Sequence, residues 1–319
     1  MKKTITYILL IILSGSVFAQ QDYQITHYMF DNLSFNPGYA GMNKNINATM
    51  IARQQWSGFS GSPTTAMVNV HAPVGMVRGG LGLTYVSDQL GFEKNSIARL
   101  NYSYHLPLGA GKLGIGASIG IIQKSIDAEW RTPSGTSWEL DNSIPGVAGT
   151  QGGSVSQSTP DINIGLFYST KELYFGFSTT HLGGFNMEDL NIQNVHHYWV
   201  TAGFNYDLNA DIQLRPSILI KSDASSSIMD VNINALYKNM LWAGLTYRFG
   251  DEIAPMVGYK HPFSDGSVLR IGYAYGITTS VIGNYSNGSH DIMLNYNFKI
   301  SKPAPVSYTH LTLPTKWIV

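Results

Sequence analysis

Nine histidines are the first residues in this chain with metal-binding chemistry to offer, since neutral imidazole ligates divalent transition metals. The adjacent pair His196–His197 stands out. A regular strand sends neighbouring side chains to opposite faces, so this pair cannot chelate one ion from a single strand. No other His/carboxylate set falls at usable spacing, and the expectation is no metal and no cofactor. Cysteine is absent, which removes disulfides, thiolate ligands and a cysteine nucleophile. Gly114, Gly116 and Gly120 have the wrong spacing for a dinucleotide loop, and no helical pattern follows them. A Ser/His/Asp set is recognised by geometry and not by order, but no nucleophile-elbow pattern occurs. The chain reads as a non-enzyme.

Binding chemistry is better represented. Trp130, Arg131 and Trp138 lie between strand-like segments, in a connection spanning about 124–160. Connections beyond roughly 12–15 residues are usually functional or disordered. Trp and Arg are enriched at binding hot spots. Asp127, Glu129, Glu139 and Asp141 flank them and suit a basic partner surface. These three residues are the candidate partner-binding set, with an anchor over 127–141.

Composition restricts the elements that hold these residues. Charged residues make up 13% of the chain, about half the roughly 25% of soluble domains. After the N-terminus no apolar run approaches the ~20 residues a membrane helix requires. The net charge is +0, from 20 basic and 20 acidic residues, which offers no concentrated basic face for nucleic acid. From Asn45 onward the apolar residues recur with period two, as in Leu269, Ile271, Tyr273, Tyr275 and Ile277. Fourteen such segments are found, near 46–56, 63–72, 78–87, 94–106, 112–123, 161–169, 172–180, 196–207, 211–221, 229–238, 240–249, 253–262, 267–277 and 290–299. Many run to about ten residues, the length that crosses a bilayer at a tilt. The predicted fold is all-β, a transmembrane antiparallel outer-membrane β-barrel of about 14 strands in contact with the lipid bilayer.

The period also assigns faces. Arg53, Arg215, Arg248 and Arg270 fall on the lumen side, with Arg99, Lys221, Lys238 and Lys260. The inward acids are fewer: Asp161, Glu172, Asp207 and Asp291. An open pore lined this way favours anions. Gly114, Gly116 and Gly120 share the inward face, which implies either tight curvature or an inner plug packed against the wall. With a periplasmic N-terminus, the long connections 124–160, 181–195 and 278–289 all fall outside, and the short ones all face the periplasm.

Four regions follow. Residues 1–19 have the basic start, apolar stretch and Val17–Phe18–Ala19 site of a signal peptide. Residues 20–45 are expected to form a periplasmic N-terminal segment, and 46–299 the transmembrane barrel. Residues 300–319 form a tail that from about Val306 resembles a translated sequencing adapter and is set aside as non-native.

One resemblance covers most of the mature chain. Asn36-Pro-Gly-Tyr-Ala-Gly41, Arg53-Gln-Gln-Trp56, Gly61-Ser-Pro63, Ser87-Asp-Gln-Leu-Gly91 and the closing Ser289–Asn297 occur in that order. The set resembles the PorP/SprF family of type IX secretion membrane proteins from Bacteroidetes. That resemblance implies a barrel for type IX export or gliding motility, working with other type IX components. Its implied partner is a secreted adhesin with a type IX C-terminal domain, which it binds, exports or anchors. The alternative function is an outer-membrane porin or substrate-specific channel.

Overall fold

The computed structural model describes residues 22–127, 154–187, 190, 192–193 and 195–300. The signal-peptide stretch, Trp130, Arg131, Trp138 and the adapter-like tail lie outside these residues. Fourteen strands alternate in direction: β1 (Ile46–Gln54), β2 (Thr64–Val74), β3 (Gly79–Leu90), β4 (Glu93–Leu108), β5 (Gly111–Asp127), β6 (Ser154–Ser169) and β7 (Leu173–Thr180). They continue as β8 (His197–Phe204), β9 (Ile212–Ser222), β10 (Ser227–Tyr237), β11 (Leu241–Arg248), β12 (Glu252–Pro262), β13 (Val268–Thr278) and β14 (Ser289–Phe298). Each pairs antiparallel with its sequence neighbour, and β14 returns to β1 in a register from Ile46↔Phe298 to Gln54↔His290. The sheet is closed. Closure matters because lipid offers an unpaired strand edge no hydrogen-bond partner. No described helix is long and apolar enough to cross a membrane.

The faces are the reverse of those of a soluble protein. On β5, Ile115, Ile119 and Ile121 are exposed outside, while Gly114, Gly116 and Ser118 are buried inside. On β14, Ile292 and Leu294 face out, and Asp291 and Asn295 face in. Such an exterior is stable in lipid and would be costly in water. We call the end carrying the 128–153 connection the loop end, and the opposite end the turn end. At the turn end Phe263, Tyr296 and Phe298 stack at ring distances of 5.9 and 4.2 Å, as expected of an interfacial aromatic girdle.

The segments found from periodicity match the fourteen strands one for one, but their limits differ. β5 and β6 have 17 and 16 residues, and their pairing continues out to Asp127↔Ser154. Crossing the bilayer takes about 9–11 residues, so this hairpin projects past it at the loop end. Its outer part is mostly polar, with Ile126 and Val155 packed against the buried core, and carries no lipid pattern, so it reads as loop. The 181–196 connection also departs from a plain loop. Asn186–Met187 pairs with Ile192–Gln193, and Met187 and Leu190 are buried against Tyr23 and Ile25. These described residues fold inward onto the start of the segment 22–45.

Candidate functional site: a lumen filled by the N-terminal segment

The 20–45 segment, expected in the periplasm, instead occupies the barrel interior over its described residues. Tyr23, Thr26, His27, Tyr28, Leu33, Ser34, Phe35, Asn36 and Ala40 are each 6% exposed or less. The path is set by its contacts. Near the loop end, Lys221 Nζ donates to the Asp22 carbonyl at 2.6 Å. Midway, Phe35 stacks on Trp199 at 5.2 Å, and its carbonyl accepts from Ser178 Oγ at 2.6 Å. Near the turn end, Lys112 Nζ donates to the Met42 carbonyl at 3.1 Å, and the chain then enters β1. The segment is polar and glycine-containing, so it brings backbone groups that the polar lumen wall can satisfy.

The wall makes room for it with glycine. A Cβ on Gly116 would stand 2.2 Å from Gly38 N and 2.3 Å from Pro37 C, and one on Gly114 2.1 Å from Gly38 O. Of the two sequence readings for these glycines, the packed plug accounts for Gly114 and Gly116. Gly120 differs, because its Cβ would meet Ala98 O of the neighbouring strand at 2.2 Å. We expect Gly116→Val to lift the 36–41 turn off the wall, at ~1–3 kcal/mol of overpacking cost. Limited proteolysis of the folded barrel should then cut within 22–45; unchanged protection would show that this contact does not seat the plug.

Two charged networks clamp the plug in the loop-end half. Arg53 Nη2 donates to both Glu252 oxygens at 2.9 Å. Arg248 pairs with Asp230 at 2.7 Å and with Glu252 at 2.9 Å, and reaches the Ile25 carbonyl at 3.3 Å. Asp291 accepts from the Thr26 N–H at 3.0 Å and pairs with His27. In the second network Arg99 pairs with Asp161 and donates to the Ser34 carbonyl at 3.0 Å. Asp161 then meets His181 Nδ1 at 2.9 Å, and His181 Nε2 meets Asp22 at 3.2 Å. Burial acts against an ionised Asp22, but His181, His197 and Arg99 outweigh it and hold its carboxyl well below the usual carboxylate range.

The turn-end half is different. Arg215 and Arg270 line a cavity of ≈ 300 Å³ together with Tyr39, Asn43 and Asn205. Arg215 Nε donates to Gln213 Oε1 at 2.7 Å, and Arg270 Nη1 to Asn295 Oδ1 at 2.7 Å. Among the described residues neither has an ion-pair partner. Lys260 bonds the Asn239 amide at the rim. This arrangement suits a carboxylate or other anionic group arriving from the turn end.

The four lumen arginines of the sequence reading thus divide between two roles. Arg53 and Arg248 grip the plug inside paired networks, while Arg215 and Arg270 line the basic cavity. Other assignments change. Glu172, Asp207 and Lys238 are exposed near the turn end, and the inward acids include Asp230 and Glu252. Asp230 was recoverable by extending the β10 alternation. Glu252 was hidden by the β11–β12 turn. Asp22, His181 and His197 lie far apart in sequence and meet only because the plug returns to the loop end.

These features define a class: a closed antiparallel membrane barrel whose lumen is occupied by its own N-terminal segment. The family model of the type IX secretion system membrane protein PorP/SprF matches residues 17–296, and the chain belongs to that family. No curated protein matches it. Solved structures share its fold at low identity. The Ralstonia pickettii toluene transporter TbuX is 12% identical with a TM-score of 0.53, over 86% of this chain and 93% of its own. The CymD monoaromatic hydrocarbon channel is 12% identical with a TM-score of 0.52, over 91% and 96%. The P. putida toluene transporter TodX is 13% identical with a TM-score of 0.51, over 84% and 93%. These neighbours share an outer-membrane barrel fold with this chain, and the family places it with type IX secretion.

Proposed function

We propose that this protein is a plugged outer-membrane scaffold of the type IX secretion or gliding system that binds, exports or anchors a secreted adhesin through the adhesin's C-terminal domain. The observation that carries the reading is the occupied lumen. A barrel gripped from inside by two ion-pair networks presents surfaces at its ends, with its own segment lying between them. Family membership supports the type IX assignment. Short turns at one end and long connections at the other orient the loop end outward, where an adhesin would be held.

A second reading, a substrate-specific channel, draws on the toluene and hydrocarbon transport named for the structural neighbours. Identities of 12% leave that likeness as one of fold. Conductance separates the two readings and is taken up below.

The partner surface is assigned to the 128–153 connection with Trp130, Arg131 and Trp138. Deleting 128–141 spares β5, which ends at Asp127. The shortened protein should insert and remain heat-modifiable on gels while the adhesin is lost from the cell surface into the medium. Normal surface retention would move the binding surface to the basic turn-end cavity.

A further inference from the structure

Three side chains from three separate parts of the chain converge where the plug begins. Asp22 comes from the plug, His181 follows β7, and His197 opens β8. One ligand atom from each lies within 4.8 Å of the other two. The side chains of His181 and Asp22 are 5% and 6% exposed, and His197 is 5% exposed. This is a built site, shielded from bulk water.

The second coordination layer is also in place. Metal-bound histidines almost always hand their other ring nitrogen to a carboxylate or a backbone carbonyl, which fixes the ring and raises its basicity. His181 Nδ1 lies 2.9 Å from Asp161 Oδ1, and His197 Nδ1 lies 3.1 Å from the Val195 carbonyl. Asp161 is itself held by Arg99. His181 therefore stands between two carboxylate oxygens, Asp161 on one side and Asp22 at 3.2 Å on the other. Asp161 thus holds Nδ1 of the ring, and Nε2 faces Asp22, the side on which an ion would bind.

We propose that Asp22, His181 and His197 bind a divalent transition-metal ion, zinc in the first instance, which staples the start of the plug to the loop end of the barrel. Two imidazoles and one carboxylate form a common zinc ligand set, completed by water. Bonds of about 2.0–2.2 Å around a tetrahedral ion place ligand atoms roughly 3.3–3.5 Å apart. The three ligand atoms lie within 4.8 Å of one another, and His181 Nε2 and Asp22 are already 3.2 Å apart. Thiolate metals are excluded, because the chain has no cysteine. The ion would add to the His181 and Lys221 contacts that join the start of the plug to the barrel near Asp22.

The test uses the full mature chain in detergent, stripped with EDTA and titrated with Zn²⁺. We expect one ion per chain, and X-ray absorption at the zinc edge should show two imidazoles in its first shell. Asp22→Asn and His197→Gln should each weaken binding by at least about tenfold. His196→Gln, one residue away, should bind as the unaltered chain does. Because a variant can misfold, a second measurement uses the unaltered protein alone. Zinc should slow protease cleavage within 22–45, and EDTA should reverse that protection. No stoichiometric zinc on the folded barrel, or tight binding that survives both Asp22→Asn and His197→Gln, would overturn the proposal and leave His181 as an imidazolium between two carboxylates.

Discussion

Deleting residues 22–42 is expected to turn an electrically silent barrel into a conducting one. Barrel diameter grows with strand number: eight strands are filled by side chains, whereas 16–18 leave an aqueous channel. Fourteen strands lie nearer the second case, and Tyr28, Leu33 and Phe35 of the plug are buried in the lumen. Reconstituted in planar bilayers, the intact protein should show no steady channel, and the deletion variant should show open-pore currents. Those currents should favour anions. The loop-end networks offset charge internally through Arg53, Arg248, Glu252 and Asp230, so Arg215, Arg270 and Lys260 set the field at the turn end. Cation selectivity would contradict that assignment. Steady conductance of the intact protein equal to that of the variant would contradict the plug itself and favour the channel reading.

Arg248→Met should be the most damaging single change in the lumen. Arg248 is fully enclosed at 1% exposure and bonds Asp230, Glu252 and the Ile25 carbonyl at once. Its removal leaves Asp230 buried without its ion-pair partner, while Glu252 keeps Arg53. Breaking a buried pair on one side typically costs ~3–5 kcal/mol. The expected result is a lower temperature for the gel shift from folded to unfolded barrel, together with protease cuts in 22–45. Lys260→Met is the contrast, because its ammonium bonds only the Asn239 amide at an exposed turn. It should change stability by no more than about 0.5 kcal/mol. Equal effects from the two substitutions would mean that the Arg248 network does not hold the plug.

The difference between those two residues also shows what the sequence could reveal. Period-two alternation is imposed by lipid outside and a polar lumen inside, so it is visible wherever a strand crosses the bilayer. Leu269 to Ile277 and Leu113 to Ile121 are such runs, and all fourteen strands were legible for that reason. The same rule placed Arg53, Arg215, Arg248 and Arg270 inward. It fails where lipid stops acting, as at the outer ends of β5 and β6. The plug has no period at all. Residues 22–42 are shaped by backbone contacts to the wall, so their sequence reads as an irregular leader, and only the inward glycines of β5 hinted at an occupant. Asp22, His181 and His197 were illegible for a different reason: no spacing rule links residues brought together by a chain that threads its own barrel.

The most direct test of the account is affinity purification of the full-length protein from gently solubilised native membranes, followed by mass spectrometry of what comes with it. The account predicts a secreted adhesin bearing a type IX C-terminal domain in near-stoichiometric amount, lost when 128–141 is deleted. A barrel that purifies without any secreted partner, and that conducts with its N-terminal segment intact, would contradict it.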